Sequence, residues 1–329
     1  ADAGTFSITF SVTDGATGAV NAVSAFTLSF ESWATPALQT YLFHNASPLS
    51  NDYIGQRGMT STPNGNNILI SGPLSGAGSN QGIVVDYTRS GTTWTAQTAI
   101  SPGSIDPDPS QYFGVNPEIS GDGNTFICSS GGWGAGAVHI YTKSGSTWSE
   151  QEVIQGSDAS WNTNTSVNFF GGDMDYPART LAISYDGNTI AASTEDESGG
   201  RVFIFVRSGS AWSHQQNFGY GQVSGASTGN LFGRSMAMSS DGNTLAIGAP
   251  QFDLANGAQN AGAVYIFTRS GTTWTEHARL ESDVQYDDMG RSTDMTPNGM
   301  YIVSGGADIG TGYVSVWVND GLVIGQDKQ

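Results

Sequence analysis

Seven residues before four of five regularly recurring turns stands an arginine: Arg57, Arg179, Arg234 and Arg291, with Val115 at the same place before the remaining turn. Guanidinium forks pair with carboxylates and phosphates in a two-point geometry. A ring of them would either take an anionic ligand, such as an acidic sugar, or pin down nearby acidic loops. Four carboxylates, Glu118, Asp173, Asp175 and Asp294, fall in or near the segments that precede the same turns. Glycoside hydrolysis needs two carboxyl groups at a set separation, but these four do not recur as one constellation. No zinc-protease helix motif, nucleophile elbow, phosphate-binding loop or paired Cys/His spacing accompanies them, and no catalytic residue is expected. Acids also gather in the longer loops: Asp106 and Asp108, Glu195 to Glu197, and Asp287 and Asp288. Carboxylate oxygens suit a hard cation, so Asp106, Asp108, Asp287 and Asp288 are the candidates for a loosely held Ca²⁺. No other cofactor is expected.

The elements that would position these groups form an internal repeat, the first thing to look for in a chain of this length. The turns read Pro63-Asn64-Gly65-Asn66, Asp122-Gly123-Asn124-Thr125, Asp186-Gly187-Asn188-Thr189, Asp241-Gly242-Asn243-Thr244 and Pro297-Asn298-Gly299. Asn-Gly and Asp-Gly supply the positive φ angles of tight hairpins. Each is followed by a short apolar run, then by a strand ending in Tyr87, Tyr141, Phe205, Phe267 or Trp317. Arg89, Lys143, Arg207 or Arg269 comes two residues later, with Asn319 in the last copy. A Ser-Gly turn then leads to a further strand opened by Trp94, Trp148, Trp212 or Trp274 and carrying Gln97, Gln151, Gln215 or His277. Each unit is therefore four strands, and five units make an all-β, five-bladed propeller of four-stranded antiparallel blades.

The last copy lacks an evident fourth strand, while residues 36–42 carry the same Gln-x-x-apolar signature before the first copy. The expectation is a ring closed by this amino-terminal strand, which would remove exposed sheet edges. Strand parity places the short turns on one face and the long, acidic loops on the other, with the arginines at the long-loop mouth of the central channel.

Leu231-Phe232-Gly233-Arg234-Ser235-Met236-Ala237, Asp241 through Pro250, and Gly262-Ala263-Val264-Tyr265-Ile266-Phe267 resemble an FG-GAP repeat, the unit of the integrin α amino-terminal propeller and of many bacterial and phage surface proteins. Echoes of its Phe-Gly occur at Ile54-Gly55, Phe113-Gly114 and Met289-Gly290, and of its Gly-Ala-Pro at Ser71-Gly72-Pro73. The resemblance covers residues 36–321 and implies an extracellular binding or assembly propeller. The integrin propeller has seven blades, against five here. Calcium-binding members carry Asp-x-Asp-x-Asp-Gly, whereas the turns here hold one carboxylate or none, too few for that site.

Residues 1–33 lie outside the ring, leaving residues 34–329 as the propeller domain. Phe6, Ile8, Phe10 and Val12 alternate with Ser and Thr, as do Phe26, Leu28 and Phe30. This is a two-strand pattern with one apolar face, resembling the last strands of an immunoglobulin-like or cadherin-like domain. Two strands alone are marginal in water, so these residues are expected to meet a protein partner or another copy of the chain, the rival place being the propeller flank.

The 329 residues carry 29 acids against 11 bases, a formal charge of −18. Phosphate backbones need clustered Lys and Arg, so nucleic acid is excluded as a partner. Such charge favours solubility in a salty, extracellular setting. No apolar run is long enough to cross a membrane as a helix, and no leader is evident at residues 1–4. Cys128, the single cysteine, reads as a small core residue. The sequence thus points to a non-catalytic extracellular module, a surface or virion structural or adhesion protein. A lectin-like glycan-binding propeller and a propeller glycoside hydrolase are the alternatives.

Overall fold

A computed structural model describes residues 5–12, 22–29, 54–55, 57–73, 82–102, 112–131, 136–158, 170, 180–194, 199–225, 227, 229–306, 313–319 and 324–326. The chain divides into two compact units, residues 1–41 and 42–329. In the first, β1 (Thr5–Val12) pairs antiparallel with β2 (Ala22–Ser29). The register sets Phe6 opposite Leu28 and Ile8 opposite Phe26, with Phe10 and Val12 in the same alternating set. Because side chains alternate across a strand, these residues share one face of the hairpin. Phe30 lies outside the described residues, as do the side-chain surroundings of the hairpin.

The second unit holds five four-stranded antiparallel sheets. The first comprises β3 (Met59–Ser61), β4 (Asn67–Gly72), β5 (Ile83–Ser90) and β6 (Thr93–Ala96). The second comprises β7 (Val115–Ile119), β8 (Thr125–Ser130), β9 (Ala137–Ser144) and β10 (Thr147–Gln155). The third has β11 (Leu181–Ile183), β12 (Thr189–Thr194), β13 (Arg201–Ser208) and β14 (Ala211–Gly219). The fourth has β15 (Met236–Met238), β16 (Thr244–Ala249), β17 (Ala263–Ser270) and β18 (Thr273–Glu281). The fifth has β19 (Ser292–Met295), β20 (Tyr301–Gly306), β21 (Tyr313–Asn319) and β22 (Ile324–Gln326). Each sheet is one blade of a five-bladed β-propeller.

The fifth blade corrects one expectation. Its fourth strand is β22, which pairs Trp317 with Gln326 and Val318 with Gly325. The carboxyl-terminal segment therefore occupies the place beside β21 that the sequence assigned to residues 36–42, which lie outside the described residues. Three residues with a central glycine leave too short a pattern for periodicity to reveal a strand.

In blades 1 to 4 the middle strands are buried on both faces. Between blades 1 and 2, Leu69 and Val84 meet Phe113, Phe126, Cys128 and Tyr141. Between blades 2 and 3, Ile127, Val138 and Ile140 meet Phe170, Leu181, Phe203 and Phe205. Blades 3 and 4 join through Val202, Ile204, Phe218, Phe232, Leu245, Ile247, Tyr265 and Phe267. Blades 4 and 5 join through Val264, Ile266, Leu280, Met289, Ile302 and Trp317. Each fully buried side chain of this size contributes about 1.5–3 kcal/mol, so the seams hold the ring together. Cys128 is a free, buried thiol within one of them, and burial raises its pKa well above the usual value.

The Phe-Gly dipeptides act at these seams. Gly82 bridges Phe113 and Gly262 bridges Met289 as isolated parallel pairs. A Cβ on Gly82 or Gly200 would lie 2.0 or 1.9 Å from the carbonyl oxygen of Phe113 or Phe232. Glycine before the third strand is thus what lets the next blade's Phe-Gly backbone approach.

Candidate functional site

The short turns consume their own polar groups. In the second copy Ser120 Oγ donates to Asp122 Oδ1 at 2.5 Å, Asn124 N to the same oxygen at 3.0 Å, and Asn124 Nδ2 to Asp122 Oδ2 at 3.1 Å. Asp186 and Asp241 accept the same set from Ser184 and Asn188 and from Ser239 and Asn243. In the first and fifth copies an amide does the work: Thr62 and Thr296 donate to Asn64 Oδ1 and Asn298 Oδ1 at 2.8 and 2.7 Å. An oxygen acceptor three residues before the returning strand is the requirement, and charge is not. Burial alone would raise the carboxyls of Asp186 and Asp241. The serine hydroxyl, the asparagine amides and Arg207 or Arg269 outweigh it and hold both below the usual carboxylate range.

The cations that follow the third strands are equally engaged. Arg89, Lys143, Arg207 and Arg269 lie over Trp94, Trp148, Trp212 and Trp274, at 5.0–5.7 Å from the ring centroids, within cation–π range. Arg207 Nε also donates to Asn188 Oδ1 at 2.8 Å, and its Nη1 reaches Thr125 Oγ1 of the preceding blade at 3.3 Å. Arg269 repeats this with Asn243 and Thr189. Lys143 instead pairs with fully buried Asp86 at 2.8 Å, an oxygen that also accepts from Trp148 Nε1 at 2.9 Å.

The glutamines of the fourth strands sit on β-bulges that sequence reasoning missed. The register skips Gln151, Gln215 and His277. A bulge turns the extra side chain out of the ladder, and here it reaches the next blade. Trp212 Nε1 donates to Gln151 Oε1 at 3.1 Å and Trp274 Nε1 to Gln215 Oε1 at 3.0 Å. Gln216 adds a reciprocal pair, accepting from Trp274 N at 2.8 Å and donating to Trp274 O at 2.9 Å. The Trp-x-x-Gln signal was legible, but its meaning was not, because a bulge leaves no mark on period-2 alternation.

Three of the four candidate arginines fall within the described residues, each just before an innermost strand, β3, β15 or β19. Their surroundings differ. Arg57 is half-buried, Arg234 is 8% exposed and Arg291 has 57% of its side chain exposed. Arg291 Nη1 donates to Asp288 at 3.4 Å. Arg179 lies outside the described residues, so a complete ring is not in view. Of the calcium candidates, Asp106 and Asp108 also lie outside them. Asp287 accepts from Ser282 Oγ, and Asp288, raised by burial, pairs with Arg291. Among the described residues no group of three His, Cys, Asp or Glu side chains is placed to hold a metal. Asp173 and Asp175 are outside the described residues, and Asp294 and Glu118 stand at equivalent places in β19 and β7.

All five innermost strands or their turns converge on one recess of about 450 Å³ at the short-turn end of the channel. Met59, Ile119, Ile183, Tyr185, Met238 and Met295 supply its apolar lining, and Thr60, Ser61, Glu118 and Ser240 its polar groups. Thr60 Oγ1 donates to Glu118 across the first seam at 3.4 Å. Tyr185 is 48% exposed at the rim. This funnel lies opposite the face on which the sequence placed ligand binding. The signal was present as the residue three before each turn Asp or Asn: Ser61, Ile119, Ile183, Met238 and Met295. Phe170 was missed too. It fills the second seam, edge-on to Phe203 and Phe205 at 5.9 and 6.1 Å. It stands nine residues before Arg179, where Phe232 stands two before Arg234, so the inserted residues hid its Phe-Gly from the repeat.

Residues 223–267 match the family model of the FG-GAP repeat. A comparison with curated protein sequences finds no match. Among solved structures, a functionally unknown protein from Desulfotomaculum acetoxidans aligns at 13% identity with a TM-score of 0.54, over 86% of this chain and 71% of that one. A protein from Lactobacillus plantarum aligns at 9% identity and a TM-score of 0.53, over 82% and 69%. TolB from Acinetobacter baumannii aligns at 12% identity and a TM-score of 0.46 over 82% of this chain, which spans about half (53%) of that protein. The first two likenesses speak to the fold alone.

Proposed function

We propose that this chain, an FG-GAP repeat propeller, is a non-catalytic extracellular module that binds and assembles: a surface or virion structural or adhesion protein. The observation that carries the reading is the fate of the repeated polar groups. The turn carboxylates, the Arg and Lys side chains and the bulge glutamines are spent on turns, tryptophans and neighbouring blades. What remains at the channel is a funnel of mixed lining, in which Thr60, Ser61, Glu118 and Ser240 stand among methionines, isoleucines and Tyr185. The strong negative charge fits an extracellular setting.

Glycan binding at the funnel is a second reading. Half-exposed Tyr185 offers an aromatic body with a polar tip, beside the hydroxyls of Thr60, Ser61 and Ser240. A glycan array probed with the full chain, together with turnover assays on aryl glycosides, tests both readings. Specific glycan retention lost in Tyr185→Ala supports the lectin reading. Turnover that Glu118→Gln abolishes overturns the non-catalytic one.

A further inference from the structure

The clasp between outer strands is missing from the seam of blades 1 and 2. Four residues after the tryptophan that opens the outer strand stand Thr98, Glu152 and Gln216 in blades 1 to 3. Glu152 Oε2 accepts from Trp212 N, and the Gln216 carboxamide takes both the N–H and the C=O of Trp274. Thr98 holds the same place before Trp148, and its side chain is too short to repeat the clasp. Trp148 stands opposite Lys143 as Trp274 stands opposite Arg269, so its N–H and C=O face away from β9 in the same way. Trp212 and Trp274 are buried, whereas Trp148 is half-buried.

The core beneath this seam differs too. The residue before the aromatic of the third strand is Ile140, Ile204 or Ile266 in blades 2 to 4, but Asp86 in blade 1. Fully buried Asp86 draws in Lys143 Nζ at 2.8 Å and Trp148 Nε1 at 2.9 Å. In the next two seams the indole N–H goes to Gln151 or Gln215 instead. Here Gln97 turns back on its own blade and donates to Thr88 Oγ1 at 2.9 Å. Between the two blades lies a recess of about 340 Å³, with Tyr141 and Trp148 as aromatic walls and Gln97, Thr98, Ser101 and Thr147 in its polar lining. Thr98, Ser101 and Thr147 are exposed.

We propose that this recess binds the carboxamide side chain of an asparagine or glutamine carried by a peptide partner. The third seam supplies the template: one planar amide offers its oxygen to a tryptophan N–H and its nitrogen to the same residue's C=O. Trp148 presents the same two groups. Its strand β10 is the outermost of the blade, so a partner chain can reach it from the side. Tyr141 and Trp148 offer apolar surface to the methylene stem of the side chain. A carboxylate would satisfy the N–H alone, since it has no donor. It would also meet like charge, because Glu150 Oε1 lies 3.2 Å from Tyr141 Oη, and Lys143 is already paired with Asp86. The neutral carboxamide makes both bonds and avoids that repulsion. This site is separate from the funnel and goes beyond the glycan reading, so either can fail without the other.

Titration of the full chain with three small probes tests it: acetyl-glutamine N-methylamide and its glutamate and methionine counterparts. The readout is the main-chain amide resonance of Trp148 in nitrogen–proton correlation spectra. The glutamine probe should shift it saturably in the millimolar range. The methionine probe, which loses both bonds, should bind about tenfold more weakly or worse, and the glutamate probe should also be weaker. Thr98→Gln places the carboxamide within the chain itself. It should displace the Trp148 resonance in the direction the glutamine probe does and abolish any further response. Thr98→Ala leaves the recess open and should respond like the parent, so a loss of response in Thr98→Gln is not a general effect of altering this position. No saturable response at Trp148, equal responses to the three probes, or a response that survives Thr98→Gln would each overturn the proposal.

Discussion

Replacing Asp241 separates geometry from charge in the repeated turn. Its carboxylate accepts from Ser239 Oγ at 2.6 Å, Asn243 N at 3.0 Å and Asn243 Nδ2 at 3.1 Å. Asp241→Ala removes all three bonds. At a net of about 0.5–1.5 kcal/mol each, with water replacing part of the loss in an exposed turn, the cost is about 1–3 kcal/mol. Asp241→Asn keeps the Oδ1 acceptor for Ser239 and the Asn243 amide, which is the arrangement of Asn64 and Asn298. Its cost is about 0.5–1 kcal/mol. Urea unfolding midpoints at pH 7 check the order. The pH profile checks the charge. The folded pKa of Asp241 is lowered, so its stabilisation is present above the unfolded carboxyl value of about 3.9 and is lost as pH falls through the folded value. Asp241→Asn should therefore narrow its deficit as pH drops below about 4. Calcium should shift neither midpoint. If Asp241→Asn costs as much as Asp241→Ala, or if calcium stabilises only the parent, the turn is using charge and the geometric account fails.

Gln216→Ala should destabilise by about 1–3 kcal/mol, since it removes both bonds to the Trp274 backbone across the third seam. Gln216→Glu should fall between it and the parent, because the acceptor survives, as Glu152 Oε2 accepts from Trp212 N at 3.2 Å. Gly200→Ala should cost well over about 1 kcal/mol, since φ is +85° and the new Cβ would meet the Phe232 carbonyl. Its midpoint in the same urea titration reads this directly. Ile247→Ala, at a fully buried seam position, should cost about 2–5 kcal/mol. A loss below about 1 kcal/mol would mean that the seam refills around the gap.

Period and turn chemistry were enough to read the blades, because the propeller repeats one solution: an Asp-Gly or Asn-Gly hairpin, two apolar strands covered on both faces, and a Trp-led outer strand. That legibility ended where a physical device leaves no periodic trace. The bulges at Gln151, Gln215 and His277 shift register without altering the alternation around them. The residues between Phe170 and Arg179 displaced one Phe-Gly from its expected place. Strand β22 is too short to carry a pattern at all. The arginines were read by spacing, and spacing did place Arg57, Arg234 and Arg291 before innermost strands. It could not distinguish Arg234, a residue 8% exposed, from Arg291, whose side chain is 57% exposed, because equal spacing along the chain says nothing of burial.

The funnel follows the same logic from the other side. Its lining residues belong to the repeat, one per blade, yet their types vary from Ser61 to Ile119 to Met295. A scaffold position must keep its type from blade to blade because every blade solves the same packing problem. A position that faces the channel solves no such problem and is free to differ. Variation at a fixed register position is therefore a better guide to the working surface of a propeller than repetition is. By that criterion the short-turn funnel outranks the uniformly spaced arginines.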